Sequence, residues 1–152
     1  TGEKSYQHFF ISLVGAQNVG EGLGVQAEVN AEQVAAWNPD VIILTAQETD
    51  AGREFVYGNE VLGQTAAARS GRVYKTPIGG YAWDSASPES PLVWMWLANL
   101  THPDIFDFDL RAEVKKGLAK LYGYQASEEE VDAVLRLELN GVAANYDQFK
   151  RP

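Results

Sequence analysis

The spacing of apolar positions changes in a regular order along the chain. Tyr6, Phe9, Phe10, Leu13 and Val14 recur at helical spacing behind Ser5, a plausible N-cap, and Gly15 ends the run. Gly20–Gly24 is a glycine-rich loop. Asn30 opens a second helix with Gln33 three places on, Val34, Ala35 and Trp37 give it an apolar side, and Asn38-Pro39 stops it. Val41-Ile42-Ile43-Leu44 is a continuous, largely β-branched run, which predicts a strand buried on both faces as in a parallel sheet. Glu60–Arg69 predicts another helix ending at Ser70-Gly71, and the alternation in Arg72–Thr76 predicts a second strand that Pro77 closes.

Beyond Pro77 the pattern changes character. Gly79-Gly80 allows unusual backbone paths, and Tyr81 and Trp83 place two amphipathic rings on them. Ser87-Pro88 and Ser90-Pro91 are both helix-start signals, and the sequence does not choose between them. From Leu92 to Leu100 the chain is apolar nearly all round, which predicts a buried helix. Asp107 or Asp109 caps the next helix, roughly Leu110–Tyr122, with Leu110, Val114, Leu118 and Leu121 inward and Gly123 as its stop. Ser127–Glu130 is a capping box; Val131, Val134, Leu135 and Leu139 carry a last helix, and Gly141 starts a polar tail. Helices alternating with strands predict an α/β layer architecture, although two strands make a thin sheet.

Composition narrows the class. The chain has 152 residues, 45% hydrophobic and 22% charged, enough for one domain with a real core. No run approaches a membrane span. The net charge of −9 argues against nucleic acid, since no basic stripe offsets it. With no cysteine there is neither a disulfide nor a thiolate metal site, and His8 and His102 lack metal-ligand spacing. No nucleophile elbow, Walker loop or dinucleotide fingerprint occurs.

Candidate chemistry therefore rests on position. Ligands in open α/β sheets bind beyond the C-terminal ends of the strands. That places Thr45, Gln47, Glu48, Thr49, Asp50 and Arg53 after the first strand, and Tyr81 and Trp83 after the second, on one rim if the strands are parallel.

Several segments resemble one family in the correct order. Trp37-Asn38-Pro39-Asp40-Val41-Ile42-Ile43, Gly71-Arg72-Val73-Tyr74 followed by Pro77, Trp83…Ser87-Pro88-Glu89, and Trp96-Leu97-Ala98…His102-Pro103-Asp104-Ile105-Phe106 are similar to segments of substrate-binding proteins of the iron-chelate, haem and cobalamin ABC importers. The resemblance implies a three-layer Rossmann-like lobe, a small mostly parallel sheet flanked by helices, with residues 1–152 forming the C-terminal lobe of a two-lobed protein. It also implies that the N-terminal lobe and linking helix, and any lipid anchor to the membrane, lie outside this sequence.

By the same resemblance the protein captures an iron siderophore, haem, corrinoid or related metal chelate, or an oxyanion such as molybdate, at the outer face of the cytoplasmic membrane. It hands the ligand to an ABC permease, with no cofactor and no catalysis. Tyr81, Trp83, Arg53, Thr45 and Gln47 would bind the ligand, and Glu89, as an exposed rim charge, would dock on the permease. Two other classes compete: an α/β enzyme using Asp84 or Glu48 as general base, and an interaction domain presenting the Trp94–Trp96 helix.

Overall fold

The computed structural model describes residues 2–25 and 27–151. Helix α1 (Tyr6–Leu13) is capped by the Ser5 hydroxyl, which accepts from the His8 amide. Helix α2 (Ala31–Trp37) is capped by the Asn30 side chain and closed by Asn38 in a left-handed conformation. Strand β1 (Ile42–Leu44) leads to α3 (Gly52–Gly58), a 3₁₀ turn at Leu62–Gln64, the short α4 (Ala66–Arg69) and strand β2 (Val73–Lys75). The strands are parallel, with Ile42 opposite Val73 and Leu44 opposite Lys75. They belong to one small mixed α/β layer structure, as the alternating pattern predicts.

Helix α5 (Ser90–Thr101) forms the centre of the core, with Leu92, Val93, Trp96, Leu97 and Leu100 buried. Helix α1 packs on one side of it, where the Tyr6 and Ser90 hydroxyls lie 2.7 Å apart. Helix α6 (Leu110–Tyr122) packs on another; Asp109 rather than Asp107 caps it, and Gly123 closes it in the left-handed region. The start of α5 falls at Ser90, not at Ser87-Pro88.

Five expectations are corrected. β1 is half-buried rather than enclosed on both faces, because no strand pairs with its second edge among the described residues. Glu60–Arg69 is not one helix: the Asn59 side chain caps the amides of Val61 and Leu62, and Thr65 caps α4, so two local starts divide the segment. The last helix is likewise split into α7 (Glu128–Val134) and α8 (Leu137–Asn140), with Arg136 left-handed between them. The tail after Gly141 is no surface strand of polar chain: Tyr146 and Phe149 are buried in the main core. Leu121, expected inward, is 41% exposed at the end of α6.

The end of α8 closes the far edge of the sheet, and the tail packs behind it. Asn140 donates to the Lys75 carbonyl at 2.8 Å and accepts from its amide at 2.7 Å, standing in for a neighbouring strand. The Tyr146 hydroxyl accepts from Trp96 and Asn140 and donates to the Leu135 carbonyl. Burial pushes the Tyr146 phenol pKa well above its ordinary value. At the opposite edge, β1 borders an open groove of about 710 Å³ lined by apolar residues that include Phe10, Val14, Ile43, Val93 and Leu97.

Candidate ligand-binding rim

The two strands end side by side, with the Thr76 amide and hydroxyl both donating to the Leu44 carbonyl. The loops that follow therefore leave from one rim, the place where a parallel sheet presents a ligand. The first loop, residues 45–51, is mostly exposed: Thr45 and Gln47 face solvent, while Ala46 turns inward. It is held by side chains from elsewhere. Asp84 accepts from the Ala46 amide at 2.7 Å, Lys75 donates to the Glu48 carbonyl, and Arg136 pairs with Asp50 at 3.4 Å.

Lys75 was not among the residues singled out from the sequence. On an alternating strand it reads as an outward lysine, yet it is 1% exposed, because the first loop lies across it. Burial lowers its pKa, Arg136 lowers it further, and Asp50, Glu48 and Asp84 act in the opposite sense. No sequence signal marks Lys75: a lysine stem can lie inside if its head finds a carbonyl, and here the acceptor is a backbone carbonyl.

The second loop is built around Glu89. Its Oε1 accepts from the Gly80 amide at 2.7 Å and from the Tyr122 hydroxyl at 2.8 Å, and its Oε2 accepts from the Trp83 indole at 2.8 Å. Glu89 is 1% exposed and Trp83 is wholly buried. The expectation of an exposed rim charge at Glu89 is thus corrected: the helix start turns this carboxylate inward, where three donors compensate its burial. Burial, and then the Glu89 carboxylate, push the Tyr122 phenol pKa up to about 12.

Trp83 and Arg53 were expected to face the ligand, and both lie beneath the surface instead. Trp83 joins the core, and Arg53, 7% exposed, donates to the Leu139 carbonyl and stacks its guanidinium over Tyr57 at 5.6 Å. Tyr81 remains half exposed, 53%, between the two residues that Glu89 holds. So the rim brings Thr45, Gln47 and Tyr81 to the surface, with Asp84, Lys75, Trp83 and Glu89 bracing them. Asp84 spends a carboxylate oxygen on the Ala46 amide and so serves as a loop brace, whereas Glu48 gives Lys75 only its backbone carbonyl and remains exposed. Among the described residues no group of three or more acidic, histidine or cysteine side chains is arranged to hold a metal ion.

Residues 1–78 match the family model described as periplasmic binding protein. No curated protein matches the chain. Among solved structures, a periplasmic solute-binding protein of Veillonella parvula is 28% identical with a TM-score of 0.86, over 98% of this chain and 46% of that one. The molybdate periplasmic binding protein MolA of Haemophilus influenzae, solved with molybdate, is 26% identical with a TM-score of 0.72, over 83% of this chain and 39% of that one. CeuE of Helicobacter pylori, solved as a Ni-His complex, is 22% identical with a TM-score of 0.69, over 89% of this chain and 43% of that one, a likeness of fold alone. The chain spans a little under half the length of these proteins. With the fold of one lobe of such a protein, and with half its length matched by the family model, the chain belongs to the periplasmic binding protein family.

Proposed function

We propose that this chain is the C-terminal lobe of the extracytoplasmic solute-binding component of an ABC importer, and that its rim forms one wall of the ligand site. The observation that carries the reading is the pairing of the family match with a rim whose two loops leave from the C-terminal ends of parallel strands. Tyr81, Thr45 and Gln47 contact the ligand, and Trp83 and Arg53 support that surface from below. The ligand is a metal chelate such as a ferric siderophore, haem or corrinoid. The molybdate held by MolA supports keeping a compact oxyanion as the second ligand chemistry to test. The protein passes its ligand to a permease and catalyses nothing; the engagement of the Asp84 carboxylate in bracing the rim supports that. The edge of β1, unpaired among the described residues, and the groove beside it support the one-lobe reading, since parallel sheets are ordinarily larger and covered on both faces.

The test is titration of haemin, cyanocobalamin, a ferric tris-catecholate and molybdate into this chain and into the two-lobed protein that carries it. One probe is expected to bind the two-lobed protein tightly and the single lobe weakly, because one lobe supplies part of the contacts. Tyr81→Ala should weaken that binding by about tenfold, the scale of one good contact. Binding of no probe by either form, or wild-type affinity in Tyr81→Ala, would remove the reading.

A further inference from the structure

Nothing in a binding rim by itself calls for a buried carboxylate, and an acidic side chain is almost never fully buried without compensation. Glu89 has compensation of a particular kind: its three donors come from the loop backbone at Gly80, from the Trp83 ring, and from Tyr122 on α6. Two of these, Gly80 and Trp83, lie on either side of Tyr81 in the chain. The loop is closed again across Tyr81 by the Gly79 amide, which donates to the Tyr81 carbonyl at 3.0 Å, and by a bridge between Ile78 and Ala82. Both glycines lie against the carboxylate. A Cβ on Gly80 would sit 2.8 Å from Oε1, and one on Gly79 would sit 2.9 Å from Cδ and closer still to Oε2. The backbone of residues 79–83 is therefore wrapped on the Glu89 carboxylate, and Tyr81 is the one large side chain of that wrap turned to solvent.

We propose that Glu89 is the positioning residue of the rim: its carboxylate sets the path of residues 79–83 and through it the orientation of the Tyr81 ring, without touching the ligand. The inference rests on the reading of Tyr81 as a ligand contact. A ring held in advance loses little freedom when a ligand stacks on it, so the effect of Glu89 is felt in affinity.

Glu89→Gln tests it. The amide keeps one acceptor oxygen and turns an NH₂ toward donors that need an acceptor, so at least one of the three bonds fails. Three readouts follow. The Trp83 indole N–H resonance, identified by its loss in Trp83→Phe, shifts upfield. The Gly80 amide exchanges about tenfold faster or more, as loss of a charge-assisted hydrogen bond implies. Affinity for whichever of the four probes binds the wild type falls by about tenfold, and Glu89→Gln added to Tyr81→Ala weakens binding no further, because both act through one ring.

Should Glu89→Gln fail to fold, Tyr122→Phe removes a single donor and is expected to move the same signals by less. An unchanged Gly80 exchange rate together with an unmoved Trp83 indole resonance, or additive effects of the two substitutions, overturns the inference. If Tyr81→Ala weakens binding and Glu89→Gln does not, the inference fails while the reading of the rim stands. If Tyr81→Ala itself binds like the wild type, it is the reading of the rim that fails.

Discussion

The two rim loops begin at neighbouring strand ends and are built on opposite plans. The loop at residues 45–51 has Ala46 and little else turned inward, and it is held from outside at single points, by Asp84, Lys75 and Arg136. The loop that follows β2 folds over its own anchors: Trp83 fills the core and Glu89 gathers three donors beneath it. Local stability follows buried contacts and protected hydrogen bonds, so the first loop belongs to the low-stability end of the molecule and the second to the high end. A wall with one adaptable and one preset side can admit a ligand and still orient it.

The largest test of that contrast is Trp83→Ala. It removes a wholly buried indole and frees one Glu89 oxygen, and the expected loss is about 3–5 kcal/mol in urea unfolding. Gln47→Ala on the other loop is the matched control, expected within about 0.5 kcal/mol of wild type. Equal effects would erase the distinction between the loops.

Gly79→Ala comes next. The added methyl meets the Glu89 carboxylate, and overpacking of that kind costs about 1–3 kcal/mol. Chemical denaturation measures it, and a neutral result would mean that the second loop is as pliable as the first.

Asp84→Ala cuts the brace between the loops. It leaves the Ala46 amide without its 2.7 Å acceptor, at an expected cost of about 1 kcal/mol. Amide exchange should quicken at residues 46–50 and not at 79–83; quickening in both would show that the loops act as one unit.

The smallest effect appears only in alkali. The folded-state pKa of Tyr122 is raised from 10.0 to about 12, so its neutral form is favoured by folding. The stability that it contributes is fully present below its unfolded value and is lost as pH rises through the interval up to about 12. Tyr122→Phe should flatten that part of the pH–stability curve, and an unchanged alkaline slope in the variant would separate Tyr122 from the second loop.

Much of the scaffold was legible because its signals are local. A continuous apolar run marked β1, all-round hydrophobicity marked α5, and Asp109, Gly123 and Ser127 ended or began helices by side-chain chemistry within a few residues. The site was legible by position and only partly by role. Thr45, Gln47 and Tyr81 reach the surface, whereas the inward turn of Glu89 depends on Tyr122, a donor 33 residues away that no spacing rule connects to it. Lys75 was hidden because its partner is a backbone carbonyl, which leaves no mark in sequence. Tyr146 and Phe149 were read as tail because Asp147 and Gln148 separate them and a single 3₁₀ turn is too short to show a period.

The contact between the glycine pair and Glu89 also constrains how this loop evolves. A side chain at Gly79 or Gly80 collides with the carboxylate, while a shorter residue at Glu89 makes room but strands the donors at Gly80, Trp83 and Tyr122. The double change relieves the collision but still leaves those donors without an acceptor, so the glycines and Glu89 hold one another in place. Selection for a new ligand would be expected to leave this knot untouched and to work on the ring at Tyr81 and on exposed neighbours such as Ser85 and Ala86, where substitution carries no such debt.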